Sequence, residues 1–156
     1  MNKLSREEQI ELIMEHYEDP INWGSMDDAD VVQKIGNPGC DDLVTVYLKI
    51  NDQDVVEGVS FEGEGCTLSM AGTSMIMEMV EGKSLEEVQA IPLDAVIEIL
   101  GRELAMTRPR CSTLGLNAVR FGIKGYLQRQ MLARSREGEA VAQADNPAPA
   151  SDDEEA

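Results

Sequence analysis

Three cysteines and one aspartate are the residues of this sequence best suited to chemistry. Cys40 follows a Pro-Gly turn in "NPGCDD", with Asp42 just beyond it; Cys66 closes "FEGEGC"; Cys111 stands between a pair of arginines, Arg108 and Arg110, and the start of an apolar periodic segment in "RPRCSTLGL". Residues i and i+2 of a strand point to the same side, so a Cys40 thiolate and the Asp42 carboxylate can converge. Cys66 and Cys111 each fall where an irregular stretch hands over to a helical pattern, with Cys111 at the start of the last helix. A helix N-terminus favours a thiolate, and Arg108 and Arg110 add positive charge beside Cys111. Three thiolates and a carboxylate would fill a tetrahedral zinc site, or would hold an iron–sulfur cluster with one labile corner. No CxxC pair fixes a ligand spacing, so small apolar filler and a lone reactive thiolate stay open as plainer readings.

These junctions need elements on either side. Ser5 and Glu8 form a capping box, and Ile10, Ile13, Met14 and Tyr17 recur at helical spacing before Pro20, which predicts a helix over 6–18. "VVQKIGNP" suits a short edge strand. Val44, Val46, Leu48 and Ile50 alternate, "NDQD" reverses the chain, and Val55, Val59 and Phe61 alternate again, so an antiparallel hairpin is expected. From Leu68 the period lengthens through Ala71, Met75, Ile76 and Met79 to Gly82, which predicts a helix. Ser84 with Glu87 starts a short one, and Pro92 opens another with Val96, Ile97, Leu100 and Leu104 inward. After a break over 107–110, Leu116, Val119, Ile123 and Leu127 line the last helix, which should end near Met131 to Arg134. Strands first and helices afterwards predict an α+β fold: a small antiparallel sheet of about three strands against four to five helices.

The chain has 156 residues and a net charge of −17. Seven acids and no base lie in 137–156, so the remainder is still at −10. That field argues against nucleic acid and anionic membranes as partners. The Ala, Pro and acid of 133–156 offer almost nothing to bury, which predicts a disordered acidic tail after a single domain over 1–132. No apolar run approaches a membrane span or a secretory signal, so a cytoplasmic protein is expected, with its three cysteines outside any disulfide framework.

Other features favour structural roles. His16, alone near a helix end, suits a cap or a core group better than a ligand. Met70, Met75, Met77 and Met79 suit core filling or a partner surface. Gly63 and Gly65 lack the third glycine of a dinucleotide turn, and Glu64 would oppose a pyrophosphate. Gly115, Gly122 and Gly125 imply close helix packing or a loose last helix.

Five ordered blocks carry a resemblance: "HYEDPINWGSMDD" at 16–28, "NPGCDD" at 37–42, "FEGEGCTLSMAGTSM" at 61–75, "EGKSLEEV" at 81–88 and "RPRCSTLGLNAV" around Cys111. Over about 11–128 the sequence resembles the U-type iron–sulfur scaffold family, that is IscU, SufU and NifU N-terminal domains. The resemblance implies a SufE/NifU-like fold, with Cys40, Asp42, Cys66 and Cys111 as ligands of the metal or cluster. It implies a scaffold rather than an enzyme, one that accepts sulfur from a cysteine desulfurase together with iron, builds a [2Fe–2S] cluster and passes it to apo iron–sulfur proteins, as a monomer or weak dimer. IscU-type members carry a histidine before the third cysteine and an LPPVK-like segment read by an Hsp70-type chaperone. Here that stretch is "LAMTRPRC", which argues against such docking, and Arg110 has no lone pair for a metal. SufU-type members have a basic residue there, bind zinc through the same four positions and take up persulfide sulfur. The 44 residues between Cys66 and Cys111 match the shorter IscU-type length. The alternatives the resemblance leaves are a zinc-bound sulfur acceptor, with Cys40 or Cys111 taking the persulfide, and a structural zinc adaptor without sulfur transfer.

Overall fold

Residues 4–37 and 42–142 are described by a computed structural model; Cys40 and the turn that carries it lie outside the described residues. The first helix, α1 (Arg6–Glu18), begins at the expected capping box. The Glu8 N–H donates to Ser5 Oγ at 3.2 Å, and the Ser5 N–H donates to the Glu8 carboxylate at 2.8 Å. Ile13 and His16 are the side chains α1 buries, while Ile10, Met14 and Tyr17 stay exposed along its other side.

The antiparallel sheet has the order β1-β2-β3, from β1 (Val31–Asn37), β2 (Asp42–Ile50) and β3 (Val56–Glu64). Val46 sits opposite Gln33 on one side and Phe61 on the other. Asn51 Oδ1 accepts from the N–H groups of Gln53 and Val55 and so ties the "NDQD" turn. Along β2 burial alternates without a break from Asp42 through Val44, Val46, Leu48 and Ile50. The period of two that builds the core therefore also sends the Asp42 carboxylate inward.

Helices cover the buried face. Cys66 is the N-cap of α2 (Thr67–Val80), which packs on β3 and against α1. Met70, Met75 and Met77 are buried in that core, as their spacing suggested. A second capping box, Ser84 with Glu87, opens α3 (Leu85–Gln89). Next comes α4 (Leu93–Leu100), which buries Val96 and Leu100. The helix read through to Leu104 instead stops at Gly101, where φ is +99°, and Leu104 falls on the single turn α5 (Arg102–Ala105). A left-handed φ is open to glycine and ends the helical run. Another single turn, α6 (Pro109–Ser112), precedes α7 (Leu114–Ala142). The α+β architecture with three strands is the expected one; the two single turns occupy what the sequence suggested was helix end and connection.

The chain divides into two compact units at Lys124 and Gly125. In the first, α7 buries Leu116, Val119 and Ile123. A Cβ on Gly115 would lie 2.5 Å from Thr73 Oγ1 and 2.7 Å from Thr73 Cα, and one on Gly122 would lie 2.6 Å from Val31 Cγ1. Close packing is thus the reason for these two glycines. Gly115→Ala is expected to cost about 1–3 kcal/mol by overpacking and to lower the thermal midpoint by about 2–4 °C per kcal/mol, read by calorimetry; an unchanged midpoint would contradict this packing. The second unit, Gly125–Ala156, contains the remainder of α7, on which Leu127, Met131 and Leu132 are exposed. Leu127 is therefore not a core residue. The helix also runs to Ala142 instead of ending near Met131 to Arg134, because Ala133, Arg134 and Arg136 are strong helix formers that need no burial. Residues 143–156 lie outside the described residues.

Candidate metal centre

Asp42 is the pivot. Its side chain is 3 % exposed, and its two oxygens serve different elements. Oδ1 accepts from the Cys66 backbone N–H at 3.0 Å, fixing the start of α2 to the start of β2. Oδ2 accepts from the Cys111 Sγ at 2.7 Å and lies 4.0 Å from the Cys66 Sγ. A carboxylate this deep needs such donors, since burial without them is costly.

Cys66 is half-buried, and its sulfur makes no capping bond to α2. It remains free to act as a ligand. Below it, Ser69 Oγ donates to the Cys66 carbonyl at 3.0 Å and Thr73 Oγ1 to the Ser69 carbonyl at 2.7 Å. Cys111 is 1 % exposed. It does not open the last helix, as its position had suggested, but lies on α6, with α7 beginning at Leu114. The intervening turn closes because Ser112 Oγ donates back to the carbonyls of Ala105 and Arg108, and Thr113 Oγ1 to that of Pro109. Arg110 points to solvent.

One donor atom from each of Asp42, Cys66 and Cys111 lies within 4.8 Å of the others, and two of the three residues are buried. Soft thiolates with one hard carboxylate suit zinc or an iron–sulfur cluster, so the chemistry of the donor set fits either. Cys40 lies outside the described residues. Gly65 is the site residue whose role the sequence did not disclose. A Cβ there would stand 2.5 Å from Ser69 Oγ and 2.6 Å from Asp42 Oδ1, so the carboxylate can occupy its position only beside glycine. The signal in the sequence is the "GEGC" run, whose glycines otherwise read only as an incomplete nucleotide turn.

The family model of the NifU-like N terminal domain matches residues 8–133. The chain belongs to the NifU-like N-terminal domain family. This NifU-like domain is 39% identical over 117 residues to the iron-sulfur cluster assembly scaffold protein IscU 1 of Archaeoglobus fulgidus, across 75% of either chain. It is 35% identical over 123 residues to the iron-sulfur cluster assembly scaffold protein IscU of Escherichia coli K12, across 77% of this chain and 94% of that one. In fold it is similar to a NifU-like protein N-terminal domain from Brucella abortus, with a TM-score of 0.66 at 23% identity over 80% of this chain and 99% of that one.

His16 of the NifU-like domain is a core group, as expected. Its Nδ1 is 2.7 Å from Ser74 Oγ, which also accepts from the Ile21 N–H at 2.8 Å. Ser74→Ala is expected to cost about 1–3 kcal/mol by leaving these partners unsatisfied, read by urea unfolding, while metal content stays at the parent level. Loss of metal without loss of stability would place His16 in the site after all. No described helix is long and apolar enough to cross a membrane.

Proposed function

We propose that this NifU-like domain is an iron–sulfur cluster assembly scaffold, carried by residues 1–132 and followed by the acidic tail 133–156. It receives persulfide sulfur from a cysteine desulfurase, iron from solution and electrons from an external reductant that brings that sulfur to sulfide, holds the growing [2Fe–2S] cluster as cargo on Cys40, Asp42, Cys66 and Cys111, and releases it to apo iron–sulfur proteins. The observation that carries the reading is the meeting of Asp42, Cys66 and Cys111 within 4.8 Å. Its support is the family, whose relatives bear the name of scaffold. A hard carboxylate holds iron less firmly than a fourth thiolate, so a set with Asp42 favours release. The negative field of the chain draws iron cations toward the group. A cytoplasmic site of action, monomeric or as a weak dimer, suits free thiols.

Arg110 favours a second reading, in which the same four residues hold zinc and one cysteine accepts a persulfide. Bound zinc keeps its cysteine ligands as thiolates. The acceptor thiolate, Cys40 or Cys111, attacks the outer sulfur of the desulfurase persulfide; the S–S bond breaks and the desulfurase cysteine leaves as a thiolate. Cys111, at 1 % exposure, has to be uncovered before that sulfur reaches it. Turnover of a cysteine desulfurase with and without this chain, beside iron and zinc analysis of protein purified without oxygen, separates the readings. Bound iron and transfer of the cluster to an apo-ferredoxin support the scaffold. Zinc with accelerated desulfurase turnover supports the acceptor. Zinc with neither effect leaves a structural zinc adaptor and overturns both.

A further inference from the structure

An open cavity of about 610 Å³ lies beside the Asp42 group, lined by Tyr17, Asp19, Trp23, Glu64, Gly65 and Met70 among others. Gly65 joins the two, since the place its Cβ would take abuts Asp42 Oδ1. Two features distinguish this cavity from ordinary surface. Tyr17 and Trp23 are 41% and 51% exposed, so two aromatic rings stand open to one space. Among the described residues, the exposed carboxylates Asp19 and Glu64 have no ion-pair partner and no basic residue lines the cavity.

The aromatic wall is held in place. Ile21 donates its N–H to Ser74 Oγ, Phe61 donates to the Asn22 carbonyl at 3.1 Å, and Gly24 donates to the Phe61 carbonyl at 2.8 Å. The Trp23 ring meets Phe61 edge-to-face, with centroids 5.2 Å apart. A wall fixed before binding loses little entropy on binding. From Tyr17 the exposed apolar side of α1 continues through Met14 and Ile10.

We infer that this cavity receives an arginine side chain from a partner protein, in a segment whose apolar neighbours lie along Ile10 and Met14. A guanidinium stacks on aromatic rings and pairs with carboxylates through its planar fork, which answers both features of the lining. The charge of the chain, −17, favours a basic partner over an acidic one. A partner anchored here stands next to Cys66 and Asp42. The inference does not depend on what those residues hold.

Trp23 is the only tryptophan, so its emission reports on the cavity. The probe is acetyl-Leu-Arg-Leu-amide, compared with the same peptide carrying citrulline, an uncharged isostere of arginine. The arginine peptide should shift the emission saturably and bind at least about fivefold more tightly than the citrulline peptide. Asp19→Asn with Glu64→Gln should remove most of that difference, leave the citrulline peptide unchanged, and reduce the salt dependence of binding. Equal affinity for the two peptides, no saturable shift with either, or undiminished preference in the double variant would overturn the inference. Metal analysis of the same samples keeps the tests separate: arginine binding in a chain that takes up neither iron nor zinc would sink the proposed function and leave this site standing.

Discussion

With the proposed four residues as ligands, Cys111→Ser is expected to weaken zinc binding by about 100-fold or more, because one of four ligands supplies roughly a quarter of a structural site's binding energy. A serine hydroxyl stays protonated near neutral pH and is a poor donor to a soft metal. The buried position of Cys111 leaves little room for water to substitute. The metal-free fold should lose much less. Serine can keep the bond that Cys111 makes to Asp42 Oδ2, and one such bond contributes about 1 kcal/mol. Competition with a chromophoric chelator gives the zinc affinity, and the thermal midpoint of the metal-free protein gives the fold. A variant that retains zinc like the parent removes Cys111 from the group. One that unfolds even without metal shows that Cys111 supports packing rather than binding.

Gly65→Ala is the second large effect, and it changes no ligand. The added methyl would fall 2.6 Å from Asp42 Oδ1 and 2.5 Å from Ser69 Oγ, so the carboxylate has to move. Moving it breaks the bond from the Cys66 N–H that joins β2 to α2. The expected cost is about 1–3 kcal/mol of stability, with metal affinity reduced about 10- to 100-fold, as for other residues that orient a ligand. Gly125→Ala is the control. Its Cβ would meet only Arg129 Nη1, at 3.6 Å, and alanine in a helix gains about 1 kcal/mol over glycine. If both variants behave alike in denaturant and in metal titration, Gly65 is not the seat that Asp42 requires.

Local physics made the elements legible. The Ser5–Glu8 and Ser84–Glu87 boxes mark helix starts because each satisfies two orphan N–H groups within four residues. The alternation along 42–50 marks both the strand and the burial of Asp42. What spacing could not show is long-range. Asp42 meets Cys66 across 24 positions and Cys111 across 69, and no periodic pattern encodes such approaches. Residue type and placement at three junctions make that grouping a candidate and the resemblance assigns it, while the geometry of three of the four residues comes only with the fold. The misreadings have local causes too. Gly101 ends a helix whose apolar period continues through Leu104, and Pro109 starts a separate turn under Cys111. On α1 the period runs on both sides, so Ile10, Met14 and Tyr17 look like core in sequence yet remain open beside the cavity.

The most direct test is reconstitution without oxygen. The protein is treated with ferrous iron, cysteine, a cysteine desulfurase and a dithiol reductant that brings the persulfide sulfur to sulfide, desalted, and examined by visible absorption together with iron and acid-labile sulfide analysis. The scaffold account predicts the charge-transfer bands of a [2Fe–2S] cluster, equal amounts of iron and sulfide, loss of both in Cys111→Ser, and decay of the bands as an apo-ferredoxin gains its own cluster. Protein that emerges with neither iron nor sulfide, or that keeps its cluster in the presence of the acceptor, would contradict it.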